Sequence, residues 1–386
     1  MCGLTVHGLA VARALARHGV TVHAFAQKGG WAEPTAFTRY ATVHVRSGLN
    51  RPEFVGHLKR FAGNLPAGRK VVLFPTSDRM AATIARHWDE LRDHYLLSWA
   101  GCRDLVLDLQ SKDNLPRYAE RSGIDYPRTA TVTSETDART SAGHLRLPVV
   151  VKPARPLSSF KAIIVKEAPE LAGLARQYPA DLPFVVQEFI EGGEGSLYAC
   201  TMYLDGGREV CALTSRKLAA SPPGLGQGTV FASDSNPEVL DLTRRFFAGL
   251  DLSGPVALEF KRDPAGRYWM IEPNVGRTEY CVDLAIHSGM NLPCIEFRHA
   301  AGLPPDPTLA ATAAPRLWFD TDKDPFCYLR AGTTLASLGA PRHPPVFPFA
   351  GHADPLPLAA SVARQSVGLV RQAAAGLLGR KGSRNS

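Results

Sequence analysis

The chain has 386 residues, 45% of them apolar, and carries 44 Lys and Arg against 36 Asp and Glu. That length holds two or three domains with real cores, while no apolar run reaches the roughly 18–20 residues of a membrane span. Seven scattered cysteines without a CxxC, twelve histidines without HExxH or HxH, and no signal-peptide pattern point to a reduced cytoplasmic protein with no zinc site.

The net charge of +8 suits an anionic small molecule. No basic stripe with interleaved aromatics argues for nucleic acid.

Residues 1–108 alternate between helix and strand patterns. Gly3 to Gly8 reads as a loop, Leu9 to His18 as a helix ended by Gly19, and Val20 to Phe25 as a strand. Val71 to Phe74 is another strand, followed by Pro75-Thr76-Ser77-Asp78 and a helix to about Trp88. Open α/β sheets bind ligands at the carboxyl ends of their strands, which makes His7, Thr76 and Asp78 candidate substrate contacts. Such a domain normally begins with a strand, and the pattern leaves no room for one before His7. A missing first strand is therefore expected, or else an unusual start. There is no GxGxxG and no acidic residue at the end of Val20 to Phe25, so a dinucleotide site is not expected.

Gln110 to Arg121 reads as a helix stopped by Gly123. Leu147 to Val151 is a buried strand running into Lys152-Pro153. A lysine there points from a sheet into a cleft, where a phosphate can balance its charge. Phe184 to Ile190 is an apolar strand, and Leu197 to Leu204 with Glu209 to Thr214 form a hairpin over Asp205-Gly206-Gly207. Ser221 to Gly228 is a Pro/Gly-rich loop, and Pro237 to Leu250 is a helix.

Gly254 to Cys281 holds a second hairpin: Val256 to Lys261 and Tyr268 to Glu272 around Asp263-Pro264-Ala265-Gly266. With Arg262 and Arg267 flanking the turn, Glu259 lies opposite Met270 and Glu272 sits diagonally from Glu259, at roughly 7–8 Å between Cβ atoms. Asn274 points the same way. Two carboxylates and an amide on one face suit Mg²⁺ completed by water and phosphate oxygens. A solvated strand face is the alternative. Arg277 is placed to meet an anion nearby.

After about residue 302 the chain is Pro-rich, with short strands expected between 316 and 355. Pro357 to Leu378 carries Leu358, Val362, Leu369, Val370, Ala373 and Leu377 at helical spacing, with Arg364 and Arg371 off that stripe. A helix docked on the body by its apolar stripe is expected, with a membrane-surface helix as the alternative.

In order and spacing, Lys112, Lys152, Lys161, Glu188, Glu191, Glu194, Arg216, Lys217, Glu259, Glu272, Asn274 and Arg277 resemble the ATP-grasp superfamily. The resemblance covers about residues 105–300, with 1–108 matching the α/β domain that precedes it. It implies an α/β (α+β) protein. An N-terminal open parallel α/β domain (1–108) precedes a two-lobed ATP-grasp domain (109–190 and 191–302) and a C-terminal extension (303–386). It implies that Lys112, before a "Gly-Ile-x-x-Pro" turn at Gly123 to Pro127, and Lys152, in "VVVKP", contact ATP phosphates. Adenine would sit at Gln187, Glu188, Phe189 and Ile190, and ribose at Glu191 or Glu194. Glu259, Glu272 and Asn274 would hold the metals, two Mg²⁺ with Mn²⁺ as an alternative.

Two departures stand out. The loop Ala154 to Lys161 lacks the usual glycines, leaving Arg155, Ser158, Ser159 or Lys161 to contact phosphate. The usual "NPR" is Asn274-Val275-Gly276-Arg277. The resemblance implies an ADP-forming carboxylate–amine ligase in which Arg277 and Arg216 hold an acyl phosphate. Arg216, Lys217, Pro222, Pro223 and Gly226 are similar to D-aspartate ligase-like members, so Lys217 joins the substrate residues and an amino acid or short peptide is the expected substrate. A phosphotransferase and a non-catalytic nucleotide-binding protein are the alternatives. Partners are expected to be small molecules, without nucleic acid or an integral membrane segment, and a homodimer is open.

Overall fold

The computed structural model describes residues 1–29, 33–66, 68–154, 159–160, 162–224, 226–311, 315–329, 343–351 and 353–368. The chain opens with Met1 to Leu4, all buried. Next come helix α1 (Val6–Arg17), strand β1 (His23–Gln27), strand β2 (Thr42–Arg46), helix α2 (Glu53–Ala62) and strand β3 (Val71–Val72). Helices α3 (Asp78–Arg86) and α4 (Trp88–Leu91) and strand β4 (Tyr95–Leu96) complete the domain. β1 pairs with β2, and β3 with β4, both parallel.

Residues 1–4 bridge the two pairs. Cys2 donates its N–H to Phe74 O at 2.9 Å, Leu4 to Phe25 O at 2.8 Å, and Phe25 to Met1 O at 3.1 Å. The place of the first strand is therefore filled by this short extended stretch, correcting the expectation that it is missing. A side chain at residue 3 would put its Cβ 2.2 Å from Thr76 Oγ1, so only glycine fits there. The expected loop is also shorter than the sequence suggests, because His7 and Gly8 already lie in the first turn of α1.

Helix α5 (Arg103–Gln110) and helix α6 (Leu115–Ser122) replace the single expected helix. The break falls at Ser111 to Asn114. Pro116 stands in the first turn of α6, where its missing N–H costs nothing. This junction frees Lys112 from a helix face and sets it at the mouth of the cleft.

The next lobe is a four-stranded antiparallel sheet of β5 (Thr129–Val132), β6 (Val149–Pro153), β7 (Ile163–Val165) and β8 (Phe184–Glu188), in the order β5-β8-β6-β7. Helices α7 (Glu135–Ala142) and α8 (Ala168–Gln177) cover one face. Val149, Val151, Phe184 and Val186 pack under them in a core of the lobe's own. By the period of two, Val150, Lys152 and Gln187 face the other way.

The large sheet runs β13-β12-β9-β10-β11-β14-β15. Its strands are β9 (Leu197–Asp205), β10 (Arg208–Ser221), β11 (Gln227–Ser233), β12 (Gly254–Arg262), β13 (Tyr268–Val275), β14 (Leu317–Phe319) and β15 (Pro345–Val346). Helix α9 (Pro237–Phe247) covers its back, where Val239 and Phe246 meet Cys200, Met202, Leu258 and Phe260. That core is continuous with the one beneath α2 and α3, so the N-terminal domain and the large sheet share an interior. Helices α10 (Val282–His287) and α11 (Leu292–Ala300) pack against α1.

The C-terminal region is built into this body. It supplies β14 and β15, and Asp354 forms a buried ion pair with Arg13 of α1 at 2.9 Å. The same carboxylate accepts from Thr38 Oγ1 at 2.7 Å and from Arg39 N at 3.0 Å. Residues 356–368 are helical, but this helix docks by its polar side. Ser361 and Arg364 bond Asp322, Arg364 also pairs with Glu33 at 3.1 Å, and Gln365 donates to Thr321 O at 2.7 Å. Leu358 and Val362 are exposed, contrary to the expected apolar docking. The carboxylates at 33 and 322 draw Arg364 inward and turn the stripe out. Leu369, Val370, Ala373 and Leu377 lie outside the described residues.

Candidate active site

The β12–β13 hairpin is longer at its tip than the sequence suggests. The loop runs from Asp263 to Arg267, with Asp263 Oδ1 accepting from Arg267 N and Oδ2 from Trp269 Nε1, each at 2.9 Å. Arg262 therefore pairs with Tyr268, and Phe260 with Met270. Ile271 then bulges, and Glu259 falls directly opposite Glu272 rather than opposite Met270. The two carboxylates are cross-strand neighbours, at about 4.5–5.5 Å between Cβ atoms, not diagonal ones.

Strand registers spread this pair into rows across the large sheet. Glu272, Glu259, Ala199 and Ser215 form one row, and Lys261, Leu197 and Lys217 form the next. Asn274, Ala257 and Thr201 form a third. The small side chains at 199, 215 and 257 leave room above the floor. The facing sheet contributes Val150, Lys152 and Gln187, and the whole encloses a cleft of about 650 Å³.

Like charges face to face destabilise a sheet. Here burial pushes the Glu259 carboxyl up to about 7, with Glu272 and Glu279 adding to the rise. Asn274 Nδ2 donates to Glu259 Oε1 at 2.9 Å. Burial acts against Glu272 too, but Lys112, Lys152 and Arg277 outweigh it and hold that carboxyl below its usual range. Lys112 Nζ stands 3.5 Å from Glu272 Oε2. Among the described residues no three or more His, Cys, Asp or Glu converge as a metal cage. Two carboxylates and an amide fit a cation that draws its other ligands from phosphate and water, as Mg²⁺ does, and do not fit zinc.

Arg277 ties the floor to the N-terminal domain. Its Nε donates to Asp78 Oδ1 at 2.7 Å, one Nη to Asn274 Oδ1 at 2.5 Å, and the other lies 3.4 Å from Glu279 Oε2. Glycine precedes it for a reason. Gly276 has φ +71°, and a Cβ there would press Val106 Cγ1 at 2.8 Å. The displaced arginine of the "NVGR" sequence thus reaches Asp78 from a left-handed turn. His7 Nε2 donates to Thr76 O at 2.8 Å, which leaves Nδ1 as the acceptor. Burial drops His7 to about 4, so its imidazole is neutral at pH 7.

The cleft brings together Lys112, Lys152, Gln187, Glu188, Phe189, Ile190, Lys217, Glu259, Glu272, Asn274 and Arg277, with His7, Thr76 and Asp78 at one end. Arg216 is not on this lining. It occupies the opposite face of β10, over the Tyr198 ring, and donates to Gly195 O. Strand alternation gives the cleft to Lys217 instead. Glu191 is exposed off the lining, and Glu194 accepts from Ala220 N and Gly224 N, holding the 221–228 loop. Arg155, Ser158 and Lys161 lie outside the described residues. Ser159 N donates to Asp181, away from the cleft lining.

Several lining residues were missed from sequence. Lys261 stands 4.4 Å from the centre of the Phe189 ring, joining the two sheets. Burial lowers its pKa, and so does Lys217. Its spacing of two from Glu259 was the available signal. Glu279 and Tyr280 also line the cleft, and nothing in their local sequence marks them.

Part of the chain is 25% identical to D-aspartate ligase of Enterococcus faecium over 285 residues, which is 67% of this chain and 66% of that protein. It is 27% identical to D-alanine–D-alanine ligase of Pseudomonas putida over 183 residues, 41% of this chain and 52% of that one. These relatives support the resemblance to ATP-grasp carboxylate–amine ligases. Among solved structures, this ATP-grasp fold matches the biotin carboxylase domain of Hydrogenobacter thermophilus 2-oxoglutarate carboxylase. The TM-score is 0.62 at 14% identity, covering 81% of this chain and 72% of that one. L-amino acid ligase of Bacillus licheniformis gives 0.59 at 15%, covering 81% and 76%. No family model matches the chain. The chain spans about two thirds of the D-aspartate ligase and half of the D-alanine–D-alanine ligase.

Proposed function

We propose that this ATP-grasp protein is an ADP-forming carboxylate–amine ligase acting on an amino acid or short peptide. The observation that carries the reading is the opposed Glu259–Glu272 pair, ringed by Lys112, Lys152 and Arg277 in a cleft between two sheets. ATP would lie with its base at Gln187 to Ile190 and its phosphates toward Lys112 and Lys152. Glu259, Glu272 and Asn274 would hold Mg²⁺, most simply two ions, with Mn²⁺ able to replace them. Bound there, the metal neutralises phosphate charge and orients the γ-phosphate.

A substrate carboxylate oxygen then attacks the γ-phosphorus, the bond to the β-phosphate oxygen breaks, and ADP leaves with an acyl phosphate remaining. An amine attacks the acyl carbon, and phosphate departs with the C–O bond pair. The chain's own residues position these groups and balance charge. Arg277, already fixed by Asp78 and Asn274, is the group placed to hold the acyl phosphate. The protein would act in the cytoplasm on small-molecule substrates, and its assembly state, including a homodimer, is read by sedimentation.

The test is ADP release and hydroxamate trapping over a screen of amino-acid pairs. An active pair should give trapped acyl hydroxamate, and Glu272→Ala should reduce ADP release by about a hundredfold or more. ADP release without trapped product would favour phosphoryl transfer to a non-carboxylate acceptor. Normal release from the Glu272→Ala protein would overturn the site.

A further inference from the structure

The end of the cleft that holds His7 is walled by rings. Phe231 and Tyr280 line it beside His7. Phe231 and Trp318 are cross-strand partners on β11 and β14, with ring centres 5.7 Å apart. Tyr280 meets the same tryptophan edge to face at 5.5 Å, and the His7 ring lies 5.6 Å from Tyr280. Trp318 is fully buried. Phe231 and Tyr280 are half-buried, packed inward on the core around Trp318 and open to the cleft on their other side.

These rings are held in place. Tyr280 donates its O–H to Asp320 Oδ2. Asp320 is buried, and its Oδ1 accepts from Asp322 N at 3.2 Å and from Lys323 N at 3.0 Å. The tyrosine hydroxyl is thus committed to a carboxylate behind it, and the cleft receives ring surface. A Cβ at residue 228 would fall 2.3 Å from Phe231 Cζ, so Gly228 leaves that ring its seat.

The charges nearby are already answered. Arg277 is shared by Asp78 and Glu279, two carboxylates for one guanidinium. Lys217, the partner of Phe231 across β10 and β11, acts on Glu259 of the floor. His7 is neutral at pH 7. An acidic side chain would meet two carboxylates and a guanidinium they already share, and a cationic one would stand beside that guanidinium. An apolar one would exchange water for ring surface. The corner also adjoins the reacting group: Glu279, beside Arg277, accepts from Tyr280 N at 3.1 Å. Resting on the ligase reading above, we propose that the amino acid whose carboxylate is activated carries an apolar side chain, aliphatic or aromatic, seated against His7, Phe231 and Tyr280. Asp320, supplied by the C-terminal region, is a positioning residue that fixes Tyr280 without touching the substrate.

The full chain is assayed for ADP release and hydroxamate trapping with leucine, methionine and phenylalanine, and with glycine, aspartate and lysine, in both enantiomers where they exist. The best apolar substrate should exceed glycine, aspartate and lysine in kcat/KM by about tenfold or more, the size expected for burying one such side chain. Phe231→Ala and Tyr280→Ala should each lower the ratio of leucine to glycine in kcat/KM about tenfold. Asp320→Ala should lower that ratio too, which a loss of stability alone would not move. Asp320→Asn, whose amide oxygen still accepts the tyrosine O–H, should restore part of it. A parent that prefers aspartate, lysine or glycine would overturn the proposal and leave the ligase reading standing, and this comparison needs no variant to fold. An unaltered ratio in Phe231→Ala or in Tyr280→Ala would do the same. No trapped product with any of these amino acids would overturn the proposal together with the ligase reading.

Discussion

Replacing Glu296 by glutamine should make the protein more stable, and increasingly so as the pH rises. Glu296 lies on α11 with 4% exposure, and Ser98 Oγ donates to its Oε1 at 2.8 Å. Burial pushes its carboxyl up to about 8, the serine bond opposing only in part. At pH 7 the folded chain therefore keeps this proton, while the unfolded chain, near 4.5, has released it. The folded state binds more protons, so stability falls as pH rises between these two values. The 2.5 units between 4.5 and pH 7 cost about 3 kcal/mol, approaching 5 kcal/mol above pH 8. In the Glu296→Gln protein the side chain is neutral in both states, and its amide oxygen accepts the same serine bond. Thermal unfolding of both proteins at pH 5, 6, 7, 8 and 9 reads the effect. The curves should nearly coincide at pH 5 and separate by several degrees at pH 8, at about 2–4 °C per kcal/mol for a unit of 150–250 residues. A variant equally or less stable than the parent at pH 8 would refute the reasoning, as would a gap that does not grow with pH.

Lys217→Ala should cut ADP release at least about tenfold, whereas Arg216→Ala, on the far face of the same strand, should leave kcat nearly unchanged. Steady-state kinetics of the two variants side by side decide it. Arg13→Ala takes the counter-cation from the buried Asp354, leaving it only the bonds from Thr38 and Arg39 N, and should cost about 3 kcal/mol, measured by urea unfolding. His7 is held neutral to about pH 4 against 6.5 when unfolded. It favours the folded state above pH 6.5, and that contribution fades as pH falls to 4, by at most about 3 kcal/mol. His7→Gln should flatten the acid limb of the stability profile, read by unfolding between pH 4 and 7.

The residues of the floor were legible in the sequence, but their spacing was not. Glu259, Glu272 and Asn274 could be named from two strands and a turn. The five-residue loop and the bulge at Ile271, which set the carboxylates face to face, depend on tertiary contacts. One such contact is Met270 N donating to Asp125 O at 2.8 Å. Lys152 was legible because an apolar strand of period two ends in it. Arg216 was misplaced, because the strand carrying it runs to Ser221, further than its apolar pattern, and the facing side could not be fixed. Met1 to Leu4 were too few for a strand pattern, yet hydrogen bonds on both sides give them a strand's place. The terminal helix was predicted from its stripe, but ion pairing at Arg364 decided which side it buried.

The separate core of the small lobe has a thermodynamic consequence. Among the described residues, Val149, Val151, Phe184 and Val186 form a core separate from the others, while the N-terminal domain and the large sheet are fused through one. The β5–β8 lobe is therefore its own cooperative unit, able to open at a cost below that of global unfolding. Its backbone amides should exchange with deuterium faster than those of β9 and β12. A nucleotide bridging Lys152 above and Glu272 below would slow them selectively, turning half of the cleft from a separate foldon into part of the whole.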